Sequence, residues 1–349
     1  MRLVFLVINY MPHQLVSIKS LINFYDAEVH SFNYKDDDTI PTDISGLITY
    51  RLKDFNDSEL FKKIADINPA MIVVAGWFVQ EYVRVSKKIS KELNIPTIAS
   101  SDTQWRGSLR QRINCIASPF HLKKAFTNIW VAGIYQYEYA RKLGFKKNEI
   151  IFNALSCDFE LFNKVDIESK KKKYPKTFLF IGRFIKIKGI EYLIEAWNKI
   201  VEKKGWTLKL IGDGKLTQNY CDRDDIVIMD FMNQTDLVLE MQNAGCLILP
   251  SLFEQWALVL HEAAAAGLPI IASDVCGATN HFLINGFNGY RINAGDVKQL
   301  GNAIENVINL ESNELINFSL NSRKLAQSIT PEIGAANLMS VLYNKINIT

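Results

Sequence analysis

No segment of the 349-residue chain comes near the roughly 20 apolar residues that a membrane-spanning helix requires. Cysteine is sparse: Cys115, Cys157, Cys221, Cys246 and Cys276 are scattered, odd in number and without a C-x-x-C pair. That set argues against a disulfide framework and fits free thiols in a reducing compartment. The histidines, His13, His30, His121, His261 and His281, lack metal-ligand spacing. Neither sign of charge dominates, with 40 Lys and Arg against 37 Asp and Glu, so the balance selects no partner class. The opening "MRLVFLVINYMP" has no small-residue cleavage site. It reads as a buried first strand rather than a signal peptide. A soluble, cytoplasmic protein is expected.

What is present is the composition of a globular enzyme-sized chain, 48% hydrophobic and 22% charged, and long enough for two domains. Short β-rich runs alternate with helical patterns. Strands are expected at 3–8, 27–32, 71–76, 96–100, 129–133 and 149–153. Helices are expected at 57–67, 81–93 and 136–144. The rhythm restarts at 177–182, followed by a helical repeat of Ile190, Leu193, Ile194, Trp197, Ile200 and Val201 with Gly205 as its stop. Further strands are expected at 207–212, 226–229, 246–250 and 269–273. Continuously apolar strands alternating with helices imply parallel sheets covered on both faces. The fold class expected is therefore α/β, two Rossmann-like doubly wound domains facing a central cleft. The boundaries read as 1–160 for the first domain, joined by a C-terminal helix at 331–349, and 177–330 for the second. The segment 161–176 contains "DIESKKKKYPK" and reads as a linker with solvated lysines.

In open α/β sheets ligands bind beyond the carboxyl ends of the strands, where helix N-termini point. Three loops of the second half occupy that position. "GRFIKIKG" (182–189) places Arg183 and Lys188 beside a helix start, an arrangement suited to a diphosphate. Alone it reads equally as a strand–helix turn with two solvated cations. "IGDGK" (211–215) is another glycine turn, more readily turn chemistry than a ligand loop. The third stretch, "PSLFEQWALVLHEAAAAG", puts Glu254 in a loop ahead of a helix that starts near Ala257 and ends at Gly267. Glu262 then lies one turn below Leu258 at i+4, where a carboxylate can accept both ribose hydroxyls of a nucleotide.

Together these residues resemble the retaining family-4 glycosyltransferases of GT-B fold, whose E-x7-E element follows a "PS" strand end and is paired with an upstream "GR…KG" loop. The resemblance covers about 177–300, including "NGFNGYRINAGD" (285–296). It implies a nucleotide-diphosphate sugar as donor, with a UDP-sugar favoured, and a glycan or lipid-linked oligosaccharide as acceptor. That is the chemistry of lipopolysaccharide, O-antigen or capsule synthesis. It implies that Arg183 and Lys188 bind the diphosphate and Glu262 the ribose. Glu254, with neighbouring Gln255, would meet the donor sugar. Amides around Trp256, Ala257 and Leu258 would cap the distal phosphate. No metal or cofactor is implied, because cations and a helix dipole do the neutralising. The "DDD" at 36–38 accordingly reads as a solvated turn.

Three departures qualify the likeness. Gln255 and Ala257 stand where many relatives carry glycines. "NYMPHQ" (9–14) replaces a glycine-rich loop after the first strand. Asp102, in "SSDTQW", stands where the family often has a histidine at the tip of the fourth N-domain strand. Asp102 either takes a related catalytic role or caps the following helix. On the acceptor side the candidates are His13, Trp105 and Arg106. His261 reads as packing. The stretch Trp105–Lys124 interleaves cations with apolar residues. It reads either as a surface for anionic lipid or a lipid diphosphate, at the inner face of the cell membrane, or as a solvated helix edge. No nucleic-acid module accompanies it. Two other function classes share the fold expectation, a non-catalytic binding subunit and a sugar-nucleotide epimerase.

Overall fold

The structure, a computed structural model, describes residues 1–35, 40, 41, 43–216 and 223–346. Asp36–Asp38 and Cys221 lie outside the described residues. The other four cysteines are free thiols, three of them buried. Two compact units divide the chain, one of Met1–Ser156 with Pro331–Thr349 and one of Cys157–Thr330.

The first unit is a parallel sheet of β1 (Arg2–Val7), β2 (Glu28–Asn33), β3 (Leu47–Arg51), β4 (Met71–Ala75), β5 (Thr97–Ser101), β6 (Asn128–Val131) and β7 (Ile150–Ile151). Its strand order is β3-β2-β1-β4-β5-β6-β7. Successive residues of β1 enter opposite cores, as a two-residue period demands. Val4 and Leu6 join one, with Phe32, Ile72 and Val74. Leu3, Phe5 and Val7 join the other, with Ile18 and Leu21 of helix Pro12–Tyr25 and Leu338 of helix Pro331–Ile346. β3 was not expected from sequence. It is an edge strand whose residues are half-buried or exposed, so it carries no continuous apolar run. It also makes the strand before Asp102 the fifth of this unit, not the fourth.

The second unit is a parallel sheet of β8 (Thr177–Ile181), β9 (Thr207–Ile211), β10 (Ile226–Met229), β11 (Cys246–Leu249), β12 (Ile270–Ser273) and β13 (Gly289–Ile292). The order β10-β9-β8-β11-β12-β13 reverses direction between β8 and β11, which pair through Cys246–Phe178 and Leu247–Leu179. Loops leaving these two strands therefore diverge around a switch point, the place where such sheets open a crevice.

Two expectations about the chain path are corrected. Residues 161–176 are part of the second unit rather than a separate linker, and of the lysine run Lys171, Lys172 and Lys173 are exposed as expected while Lys170 is not. Lys170 is 2% exposed, and its Nζ donates to Met241 O and Ala244 O, both at 2.9 Å. A buried ammonium is accommodated there because it donates to carbonyls at the C-terminal end of helix Gln234–Gln242. Tyr174 is also buried and donates to Gly245 O at 2.8 Å. The helix after β8 spans Ile190–Lys199 rather than running on to Gly205. Ile190, Leu193 and Trp197 form its buried stripe, but Ile200 is extended and Val201 is 93% exposed. Ile200 instead enters the core from the strand-like connection, which is why the apolar spacing outlasted the helix.

Candidate functional site

The loop after β8 is splinted by the loop after β9. Gly182 N–H donates to Ile211 O at 3.0 Å, Phe184 N–H to Asp213 O at 2.6 Å, and Leu216 N–H to Phe184 O at 2.9 Å. Both glycines of "IGDGK" are required by this approach. A Cβ on Gly212 would lie 2.1 Å from Gly182 O, and one on Gly214 2.7 Å from Phe184 O. The turn is thus turn chemistry, and its effect is to fix the backbone on either side of Arg183. Arg183 itself is exposed.

Lys188 ends a single 3-10 turn, Lys186–Lys188, and Gly189 follows in the left-handed region at φ 71°. A Cβ on Gly189 would fall 2.0 Å from Pro250 O, so only glycine lets this loop cross the end of β11. Leu252 N–H donates to Ile187 O at 2.8 Å, a second tie between the two loops. The Lys188 side chain, 15% exposed, bonds through Nζ to Oε2 of Glu254, which is 19% exposed. The structure therefore brings two separately read candidates into one ion pair at the switch point.

The Glu254 segment is held from its other side by residues after β12. Glu254 bridges Cys276, and Trp256 O accepts from Ala278 N–H at 2.7 Å. Trp256 is buried against His281 and Phe282, with ring centroids 5.3 and 6.2 Å away. Gln255 is half-buried beside it. Ala257 then takes φ 75° and ψ 74°, a left-handed conformation costing a non-glycine residue about 1–2 kcal/mol. It precedes helix Leu258–Ala265 and offers no side-chain cap; in the first turn Leu260 N–H donates to Ala257 O at 3.1 Å.

Glu262 lies one turn into that helix and is only 7% exposed. Burial raises its pKa to about 7, against a smaller lowering by the amide of Gln234, whose Nε2 donates to Oε1 at 2.9 Å. Gln234 was not singled out in the sequence. The signal for it was available: Asn233 caps helix Gln234–Gln242, its Oδ1 accepting from Asp236 N–H at 3.0 Å. His261, next along, is fully buried, stacked 4.1 Å from Phe282. Its Nδ1 accepts from Cys157 N–H at 3.0 Å, which leaves the proton on Nε2, 3.2 Å from Ala326 O. Burial holds it neutral, with a pKa of about 3.

In the first unit, His13 sits at the start of helix Pro12–Tyr25 and lines a cavity of about 30 Å³ with Val7, Val73, Ala75 and Ser100. That cavity lies at the β1/β4 switch point of its sheet, and burial pushes the imidazole down to about 4. Asp102 is exposed after β5, and its carbonyl accepts from Gln136 Nε2 at 3.0 Å. It does not cap the next helix. Ser108 does, its Oγ accepting from Gln111 N–H at 3.3 Å. Trp105 packs 5.8 Å from Tyr139 with Lys142 Nζ over its ring, and Arg106 is exposed.

Comparison with known proteins sets this geometry beside named relatives. The chain is 31% identical over 167 residues to the capsular polysaccharide biosynthesis glycosyltransferase CapM of Staphylococcus aureus, a stretch covering 43% of each. The chain spans about half the length of the curated relatives it matches. Among solved structures, sucrose-phosphate synthase from Thermosynechococcus elongatus aligns over 100% of both chains with a TM-score of 0.78 at 18% identity. Anabaena HepE in complex with UDP aligns over 99% of this chain and 100% of its own, with a TM-score of 0.78 at 15% identity. Such likeness shows the fold, two parallel-sheet α/β domains of the GT-B kind. Residues 162–325, nearly all of the second unit, match the family described as Glycosyl transferases group 1.

Proposed function

We propose that the chain is a retaining glycosyltransferase moving a sugar from a UDP-sugar to a glycan or lipid-linked oligosaccharide in polysaccharide synthesis. The observation that carries this reading is the switch-point arrangement of the second unit. There Lys188 and Glu254 meet, Arg183 stands on the same splinted loop, and Glu262 lies one turn below an uncapped helix N-terminus. A diphosphate seated among Arg183, Lys188 and the amides near Trp256, Ala257 and Leu258 has its charge neutralised without a metal. Glu262 then accepts the two ribose hydroxyls, and Glu254 with Gln255 meets hydroxyls of the donor sugar. The name of CapM and the UDP bound to HepE support the capsule context and the uridine base.

In the reaction the anomeric carbon–phosphate oxygen bond breaks as the diphosphate departs. The acceptor oxygen forms its bond from the same face, and the departing phosphate oxygen takes the acceptor proton. Asp102 is the catalytic candidate of the first unit, and His13, Trp105 and Arg106 are its acceptor-side candidates. The reaction is placed at the cytoplasmic side of the cell membrane.

Thermal-shift measurements with UDP- and GDP-sugars test the donor, with a UDP-sugar giving the larger rise in melting temperature. A larger shift with GDP-mannose overturns that assignment. The anomeric configuration of the transferred sugar, read by NMR, tests retention, and transfer surviving Lys188→Ala with Glu254→Ala overturns the catalytic reading.

A further inference from the structure

Helix Leu109–Ala117 of the first unit is built inside out. Its one buried residue is the polar Gln111, whose Nε2 donates to Gln104 O at 2.6 Å while its Oε1 accepts from Arg106 N–H at 2.8 Å. Asn114 Nδ2 reaches Tyr139 OH at 3.5 Å, and Ser118 Oγ, just past the helix, donates to Leu143 O at 2.6 Å. Apart from Cys115, which packs against the core, the apolar residues point the other way. Leu109, Ile113 and Ile116, spaced i, i+4 and i+7 on one face, are 75, 56 and 77% exposed, and Phe120 is 72% exposed. A helix held to its domain by polar contacts, with its large aliphatic side chains in water, lacks the surface those side chains fit.

Charge identifies that surface. The sequence from Thr103 to Tyr137 contains no Asp or Glu, yet holds Arg106, Arg110, Arg112, Lys123 and Lys124. Lys123 is committed to Glu149 at 2.5 Å. Arg110, Arg112 and Lys124 have no carboxylate partner among the described residues. An apolar stripe edged by Arg110 and Arg112, neither with a carboxylate partner among the described residues, matches a bilayer interface, where acyl chains receive the aliphatic groups and anionic headgroups the guanidinium groups. A second copy fits poorly. A two-fold contact through this face would set the same arginines against themselves.

We propose that the Leu109–Ile113–Ile116–Phe120 stripe, with Arg110 and Arg112 beside it, docks this chain on an anionic phospholipid bilayer. The inference builds on the reading of a membrane-side transferase. It is tested without donor or acceptor, so it succeeds or fails separately from transfer.

The test is flotation of the full chain with vesicles of phosphatidylcholine alone or mixed with phosphatidylglycerol. Wild type is expected to float with the anionic vesicles at least about tenfold more than with the neutral ones, and to be released by salt. Combined Leu109→Ser, Ile113→Ser and Ile116→Ser is expected to cut that binding about tenfold or more. Its melting temperature should hold, because all three side chains are exposed. Arg110→Gln with Arg112→Gln should remove the preference for anionic lipid. Failure of wild type to float with anionic vesicles overturns the proposal, as does full retention by the triple serine variant. A concentration-dependent dimer in light scattering that the same serine substitutions abolish also overturns it, by giving the stripe to a second copy.

Discussion

The Nζ of Lys188 is hydrogen-bonded to Oε2 of Glu254, joining residues 66 positions apart across the switch point between β8 and β11. Each satisfies the other's charge in a setting that is mostly screened from water. On the proposed reading, a diphosphate arriving at Lys188 would draw the ammonium toward its oxygens and free a Glu254 oxygen for a sugar hydroxyl. Lys188→Ala is therefore expected to reduce kcat by about 10²–10³-fold, the usual effect of losing one such electrostatic contact. In unfolding experiments the pair is expected to couple by about 1 kcal/mol, so Lys188→Met and Glu254→Gln should cost less together than the sum of the two alone. Additive stability effects with unchanged kcat would remove both the pair and its role.

Glu262 gives the site a pH dependence. Its folded-state pKa is raised from 4.5 to about 7 by burial. Between those values the unfolded chain has released the proton and the folded chain still holds it. Stability contributed by the neutral acid is thus present below about 4.5 and lost as pH rises to about 7. Wild type is expected to lose stability relative to Glu262→Gln across that window and to run parallel with it above. Nucleotide affinity should move the other way, rising through about pH 7 as the carboxylate proposed to accept the ribose hydroxyls forms. Titration calorimetry with UDP at several pH values checks the second half, and a flat affinity from pH 6 to 8 would falsify it.

Why some of this was legible in the sequence and some was not follows from the physics of each residue. Strands such as β1 and β11 are buried on both faces and announce themselves as apolar runs, while the half-exposed edge strand β3 does not. The E-x7-E spacing and the "GR…KG" loop carried the candidate residues because their chemistry is local: a cation beside a helix start, a carboxylate one turn down. What stayed hidden was pairing across the chain. Nothing near Lys188 names Glu254 as its partner, and nothing near Gly189 says that Pro250 O will press against it. Lys170 misled for the same reason. A run of four lysines reads as solvated, and only the fold brings the carbonyls of Met241 and Ala244 to the first of them.

Ala257 is the position where local strain can be measured. At φ 75° it adopts what glycine adopts without penalty. Replacing it with glycine relieves about 1–2 kcal/mol of left-handed strain and adds about 0.4–1 kcal/mol of unfolded-state entropy. Ala257→Gly is expected to stabilise the chain by about 0–1.6 kcal/mol in denaturant unfolding. Ala257→Val should destabilise it clearly, since a β-branched residue fits that region worst. Gly189→Ala is the contrast: a Cβ 2.0 Å from Pro250 O must push the two switch-point loops apart. Lost stability by Ala257→Gly would mean that the methyl group packs more usefully than the strain costs.

Lys170 tests whether the segment before β8 is structural. Burial lowers its pKa from 10.5 to about 7, with the positive Arg323 nearby as a smaller cause. For a base the sign reverses relative to Glu262. Between about 7 and 10.5 the unfolded chain holds the proton and the folded chain has released it, so the penalty of burying the ammonium fades and stability rises with pH. Wild type should therefore gain on Lys170→Met as pH increases from about 7 to 10, measured as the difference in urea midpoints. The methionine variant also takes the side-chain donor from Met241 O and Ala244 O, at the end of the helix whose first residue, Gln234, holds Glu262. A weakened helix end should loosen Gln234 and reduce UDP affinity, although Lys170 touches neither nucleotide nor Glu262. Equal pH profiles for wild type and variant, with unchanged UDP affinity, would show that the lysine is solvated after all.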